Sequence, residues 1–559
     1  MLPARLALFA LLGLSAAQAA PQGPPYADKK RNLEKQQEAA RAARDQAKAG
    51  ATPEQVVAWL GDESAHVRDA VFDVVREKKD PALLAKLEGQ LGNRDELVAC
   101  SVAELFGQCQ HAPGRQALEK AALGAPEPVA LECVWALELL AAKESAPALK
   151  KVYEKRKEPR LRADALLALA GLDPAVAKEL VQDGLGDKQP VVRMGALLAL
   201  LQLEPAAAVG AAIDVVAAAP AQGPEKAAAA RLLSAALEVL RGWTGRAGQK
   251  ELASKAVVAL IARLSREEAL SRHLVAVTLA DLTGELGLGE DPALWDGWWQ
   301  ARKESWSPAD KAPAPPPEAK RGRGKKGEEA PPPAGGRVKT GDEGPGATKV
   351  RFLGVPVRSK RLMFIQDLSG GMNNPLEKDE PGSPTKMKFA KDETVRVLGE
   401  LEDDVWANVL FFATEWYKAN ERLLPLGRCR AQLIEFVGKQ ETPDTSSAQN
   451  RHKGRSNLHD TLAAALVDPE IDTIFFVSEG GPTEGRYVDE ARFMRHIERL
   501  NRYQRVQVHG FLVSTNYDGE KFLRRLAGMT GGEFHDLPSL RRAKAGEAGK
   551  PAEEGKQGR

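Results

Sequence analysis

Hydrophobic positions recur with a helical period through the first half of the chain. Val67, Leu97, Val129, Leu161 and Val192 stand 30, 32, 32 and 31 residues apart. Four residues past each anchor lie Val71, Ser101, Cys133, Ala165 and Ala196, mostly small. Eight past each lie Val75, Leu105, Leu137, Leu169 and Leu200, mostly large. Positions i, i+4 and i+8 share one helix face. The small residue lets a neighbouring helix approach, and the large ones fill the groove between them. Arg68, Arg162 and Arg193 directly follow their anchors. Each unit also holds a second apolar segment, such as Ala82-Leu83-Leu84 or Ala146-Pro147-Ala148-Leu149. The pattern predicts helix pairs of about 31 residues that cannot bury their apolar faces alone and must stack.

This period resembles the short HEAT type of repeat, which implies an extended surface for protein partners. The pattern predicts an all-α solenoid over 52–306, preceded by a polar segment at 20–51 that is helical or loose. Trp295, Trp298 and Trp299 share a helix face at i, i+3 and i+4. With Trp306 they predict a capping helix on the last repeat. Residues 307–348 then lose large apolar side chains. Pro315-Pro316-Pro317, Pro331-Pro332-Pro333 and a basic run from Lys320 to Lys326 predict a disordered linker.

From residue 349 the period changes. Short apolar runs end at Gln366-Asp367, or lie at 408–413, 473–477 and 506–513. Helical stretches separate them at about 386–402, 428–440, 457–467, 489–503 and 519–529. Alternating strands and helices predict a largely parallel sheet covered on both faces, and ligands bind beyond the carboxyl ends of such strands. Two oxygen-rich loops sit at those ends: Asp367-Leu368-Ser369-Gly370-Gly371-Met372 and Ser478-Glu479-Gly480-Gly481-Pro482-Thr483. Between them, Gly454-Arg455-Ser456-Asn457-Leu458-His459-Asp460 leads into a helix.

These loops resemble those of a von Willebrand factor type A (vWA) domain, an α/β Rossmann-like fold, across about 349–540. The resemblance implies a metal-ion-dependent adhesion site that collects oxygens from D-x-S-x-S, a Thr loop and an Asp turn. It assigns Asp367, Ser369, Ser456 and Glu479 as candidate metal ligands, for Mg²⁺ or another divalent cation. The chain departs from the pattern in three places. Gly371 stands where the second Ser belongs, Ser456 replaces Thr, and Glu479 replaces Asp with one extra methylene. Mg²⁺ demands near-ideal octahedral oxygen geometry. Two readings stay open: weak divalent binding with a water in place of the lost hydroxyl, or a metal-free domain in which Asp367 and Ser369 cap the next turn. The polar, Pro-containing stretch Asn373–Thr385 reads as an insertion beside the site. His452 and His459 read as surface or capping residues.

Composition adds limits. At 559 residues the chain is too long for one core. A net charge of +2 gives no global field toward nucleic acid, which is not an expected partner. Arg5, the apolar run Leu6–Leu14 and Ala17-Gln18-Ala19 read as a signal peptide at 1–19, so the expectation is export to periplasm, cell envelope or medium, with no transmembrane segment in the mature chain. Residues 541–559 read as a disordered tail. Cys100 and Cys109 lie nine residues apart on one helix, too far to bridge; the four cysteines read as buried thiols with one pairing left open. No G-x-S-x-G, P-loop, H-E-x-x-H or C-x-x-C occurs, so no catalytic residue or organic cofactor is expected. The sequence therefore points to a non-enzymatic protein–protein interaction or adhesion-like protein. Solenoid and vWA-like domain would each hold a partner across the linker. A metal-independent structural scaffold of an envelope assembly is the alternative, and an enzyme with an unrecognised site the third choice.

Overall fold

The structure, a computed structural model, describes residues 32–309, 350–377, 380–443 and 454–537. The expected signal peptide, most of the expected linker, the tail and His452 lie outside the described residues. The chain is rich in helix, with a helical-repeat-like N-terminal part and a smaller C-terminal α/β region.

Five 14-residue helices carry the repeat anchors: Ala65–Lys78, Glu96–Cys109, Glu127–Leu140, Pro159–Leu172 and Pro190–Leu203. Each is followed by a partner helix, from Pro81–Leu87 to Pro205–Ala217. Proline at the first helical position, as in Pro159, Pro174, Pro190 and Pro205, sets the entry dihedral where no amide hydrogen bond is lost. Every anchor and every i+4 and i+8 residue is buried. The close approach is real: a Cβ on Gly107 would stand 2.8 Å from Ala136 Cα of the next repeat. Pro292–Arg302 closes the array, with Trp295, Trp298 and Trp299 buried and Trp306 packed edge-on to Trp299. The array also starts earlier than expected. Leu33–Gly50 is a helix, capped by Asn32, that buries Gln36, Ala40, Ala43 and Ala47. An alanine stripe carries too little apolar contrast to stand out from its Lys/Glu/Gln surroundings. The four cysteines are free and buried.

The C-terminal region holds a two-stranded ribbon, β1 (Arg351–Phe352) with β2 (Val355–Pro356), and a seven-stranded sheet. The sheet strands are β3 (Arg361–Asp367), β4 (Trp406–Phe412), β5 (Trp416–Lys418), β6 (Leu424–Pro425), β7 (Thr473–Ser478), β8 (Gln507–Leu512) and β9 (Phe534–Asp536). Their order is β5-β4-β3-β7-β8-β9, with β6 beside β4. β4, β3, β7, β8 and β9 run parallel, while β5 and β6 are antiparallel additions to β4. The chain winds outward from β3 through β4, then crosses back to place β7 on the other side of β3. That reversal opens a crevice between the carboxyl ends of β3 and β7, the usual ligand position in doubly wound sheets.

The two regions are docked. Arg492, Arg495, Arg499 and Arg502 recur at helical spacing along Glu490–Asn501 and just past it, facing acids from successive repeats. Arg492 donates to Asp69 at 2.6 Å and to Glu104 at 2.7 Å, and its guanidinium lies 3.7 Å from the Phe72 ring centroid. Arg495 reaches Glu104 at 3.1 Å, Arg499 reaches Glu132 at 3.4 Å, and Arg502 reaches Asp164 at 2.8 Å. Asp164 also accepts from Tyr503 Oη and Trp135 Nε1. In the other direction, Arg68 donates to the Gly485 carbonyl at 2.6 Å. Burial raises the pKa of Glu104, but Arg492 and Arg495 more than reverse this and hold it below the usual range. Glu132 has one long arginine contact, and burial pushes it up to about 7.

Two expectations change here. The helices Ala65–Lys78, Glu96–Cys109, Glu127–Leu140 and Pro159–Leu172 turn charged side chains into contact with the protein's own α/β region, so the face they form is occupied from within the chain. His459 is neither surface nor cap. It is buried, with Nδ1 2.8 Å from Asp460 Oδ1 and Nε2 3.0 Å from His496 Nδ1, and burial lowers the pKa of both imidazoles.

Candidate functional site

Three loops meet at the β3/β7 crevice. Asp367 ends β3 and is buried beneath it. Its Oδ1 accepts from the Ser369 amide at 2.7 Å, and its Oδ2 accepts from Ser478 Oγ at 2.7 Å. Burial pushes the Asp367 carboxyl up to about 6; the Ser369 and Ser478 hydrogen bonds oppose the rise and the nearby Glu479 charge adds to it. Ser369 Oγ lies 3.4 Å from Glu479 Oε1. The Ser456 loop is pinned through its backbone: its amide donates to Thr483 Oγ1 at 2.9 Å and its carbonyl accepts from the Thr483 amide at 2.9 Å. Next to it, Asn457 caps Leu458–Leu466, and Arg455 pairs with the buried Glu484. Thus Asp367, Ser369 and Glu479 form one bonded cluster, and Ser456 lines the same cleft as Glu479.

That cleft encloses about 620 Å³. Its polar lining includes Asn374, Glu377, Thr483, Ser514, Thr515 and Asn516. Ser514 Oγ donates to the Glu479 carbonyl and fixes the loop after β7.

Sequence reasoning missed Lys386. It is the first residue of helix Lys386–Glu400, is 7% exposed, and places Nζ 2.9 Å from Glu479 Oε2. A lysine in the first turn opposes the helix dipole, where an acid is the stabilising choice; that inversion was the available signal. Ser478 and Thr483, which hold Asp367 and Ser456, were also unassigned. Gly371 proves complementary to Glu479: a side chain at 371 would overlap the Glu479 carboxylate. The longer acid therefore occupies the space left by the missing serine.

The donor set fits an octahedral dication poorly. Both Asp367 oxygens already accept hydrogen bonds, Glu479 is neutralised by an ammonium, and Gly371 offers no oxygen. Among the described residues, no group of three or more His, Cys, Asp or Glu side chains could hold a metal ion. Nor is any described helix long and apolar enough to cross a membrane.

No protein-family model matches the chain, and no curated protein matches it. Among solved structures, the chain is similar to the complex of CpcE and CpcF of phycocyanin lyase from Nostoc sp. PCC7120, at 18% identity and TM-score 0.25, over 41% of this chain and 94% of that one. It is also similar to the PilB minor pilin from Streptococcus sanguinis, at 14% identity and TM-score 0.23, over 35% of this chain and 62% of that one. Scores this low establish no common fold.

Proposed function

We propose that this chain is an exported protein–protein interaction protein. In this reading its α/β region is a vWA-like domain that binds a protein partner at the β3/β7 cleft, and its HEAT-like array is the cradle that holds the domain. The carrying observation is the convergence of Asp367, Ser369, Ser456 and Glu479 from three loops beside an open polar cleft at the strand reversal. The loop residues themselves support the vWA likeness. Export rests on the pattern at residues 1–19. Binding rather than catalysis is supported by the way Glu479 is engaged: one carboxylate oxygen contacts Ser369 Oγ and the other is held by the Lys386 ammonium.

The test uses the full mature chain as bait on an envelope extract. Ser456→Trp and Asn516→Trp fill the cleft from two sides. A partner retained by the unsubstituted chain and lost from both variants, at unchanged melting temperature, is the expected result. Equal retention by all three proteins would overturn the cleft as the docking site.

A further inference from the structure

The geometry points to Lys386 as a tethered cation that takes the place of a divalent ion in this site, so that the cleft is held together without metal. The inference rests on the vWA-like reading for what the site descends from, but its physical content is local.

The Asn373–Thr385 segment has a structural purpose. Its ends are brought together by the Pro375–Thr385 bridge, and the Lys386 amide donates to the Asn374 carbonyl at 3.1 Å. The Leu376 amide donates to the Pro384 carbonyl at 2.9 Å. Thr385 Oγ1 then caps the helix by accepting from the Lys388 amide. The insertion thus closes on itself and starts the helix so that its first side chain reaches back to the loop after β7. At that point the Lys386 ammonium meets the Glu479 carboxylate.

Three further features agree. Gly371 removes the second serine and leaves room for Glu479, whose extra methylene carries the carboxylate into that space. Ser369 Oγ and Lys386 Nζ contact opposite oxygens of Glu479. Asp367, next in the cluster, is satisfied by a backbone amide and a hydroxyl without any cation. An ammonium brings one positive charge and three rotatable donors, so it neutralises one carboxylate without demanding an octahedral shell. A dication entering here would have to displace it against charge repulsion. Two of the departures from the family pattern then join with Lys386 in one coordinated change: serine lost at 371, acid lengthened at 479, lysine delivered at 386.

The experiment is a melting titration of the full mature chain with MgCl₂ and MnCl₂ against EDTA. The unsubstituted chain is expected to melt at the same temperature in all three. Lys386→Ser is expected to melt lower in EDTA and to recover with Mn²⁺ by at least about 2 °C. Lys386→Arg, which keeps the charge, should behave like the unsubstituted chain, and Lys386→Ser combined with Glu479→Gln should lose the Mn²⁺ response. A metal-dependent rise in the unsubstituted chain, or a Lys386→Ser protein that neither melts lower nor responds to Mn²⁺, overturns the inference. Either of those results, with capture still abolished by Ser456→Trp, would leave the partner-binding cleft standing and remove only the lysine's role.

Discussion

Two of the molecule's carboxylate–cation pairings, one at the domain junction and one at the cleft, are built to opposite ends. At the domain junction, Arg492 sits between Asp69 and Glu104 with all three side chains at most 8% exposed, and every guanidinium edge has an acceptor or a ring face. At the cleft, Lys386 meets Glu479 through one contact, and the carboxylate stays 22% exposed. The first arrangement fixes geometry, because a planar fork held by two acids has one orientation. The second leaves donors and acceptors turned toward solvent, which suits a surface that must receive something. A buried pair is weak evidence of net stabilisation, yet removing one member is costly, because the remaining charge is stranded.

The sharpest way to break the comparison is Arg492→Met. It removes the cation that the buried Asp69 and Glu104 share and leaves Glu104 with Arg495 only, and a loss of about 3–5 kcal/mol is expected in denaturant unfolding. Adding Asp69→Asn and Glu104→Gln should recover much of it. At the cleft, Asp367→Asn tests burial without a paired cation. The Asp367 carboxyl is raised to about 6, so its neutral form favours folding. That contribution is fully present below about pH 4 and is lost as pH rises through 6. The melting difference between Asp367→Asn and the unsubstituted chain should therefore move in the variant's favour by up to about 2 kcal/mol between pH 4 and 6.5, then stay flat. A gap that is constant from pH 4 upward would show that the aspartate is not buried as described. Lys386→Met should cost only about 1–2 kcal/mol, because Glu479 can turn to water in the cleft. Smallest of all is Glu238→Gln at the junction's rim. Its side chain is 58% exposed opposite Arg505, and a change within about 1 kcal/mol is expected. Should Lys386→Met cost as much as Arg492→Met, the cleft is not the open site that the comparison requires.

Local periodicity revealed most of the elements. The i, i+4, i+8 triplets located the five anchor helices of the repeats, and the apolar runs located β3, β4, β7 and β8. The edge strands β5 and β6 escaped because two or three residues carry no readable alternation. In the site, Asp367, Ser369, Ser456 and Glu479 were legible because the chemistry of their loops is compact in sequence. Lys386 was not: the insertion separates it from Ser369, and only tertiary folding returns it. The junction was illegible for a related reason. Arg492, Arg495, Arg499 and Arg502 lie on one helix and just past it, while their acids are scattered one to a repeat. The all-round burial of helices such as Pro159–Leu172 held a clue, since a helix apolar on every side needs cover on both sides of its layer.

The acid ladder also orders events in time. The repeats leave the ribosome first, and until the C-terminal region follows, Asp69, Glu104, Glu132 and Asp164 face water. Hydrated carboxylates keep that half-made product soluble and discourage its repeats from sticking to one another. The cost of drying them arises only when the arginine helix arrives with matching charge. Biosynthesis in this direction therefore supplies a waiting template whose own polarity protects it until its second half can dock.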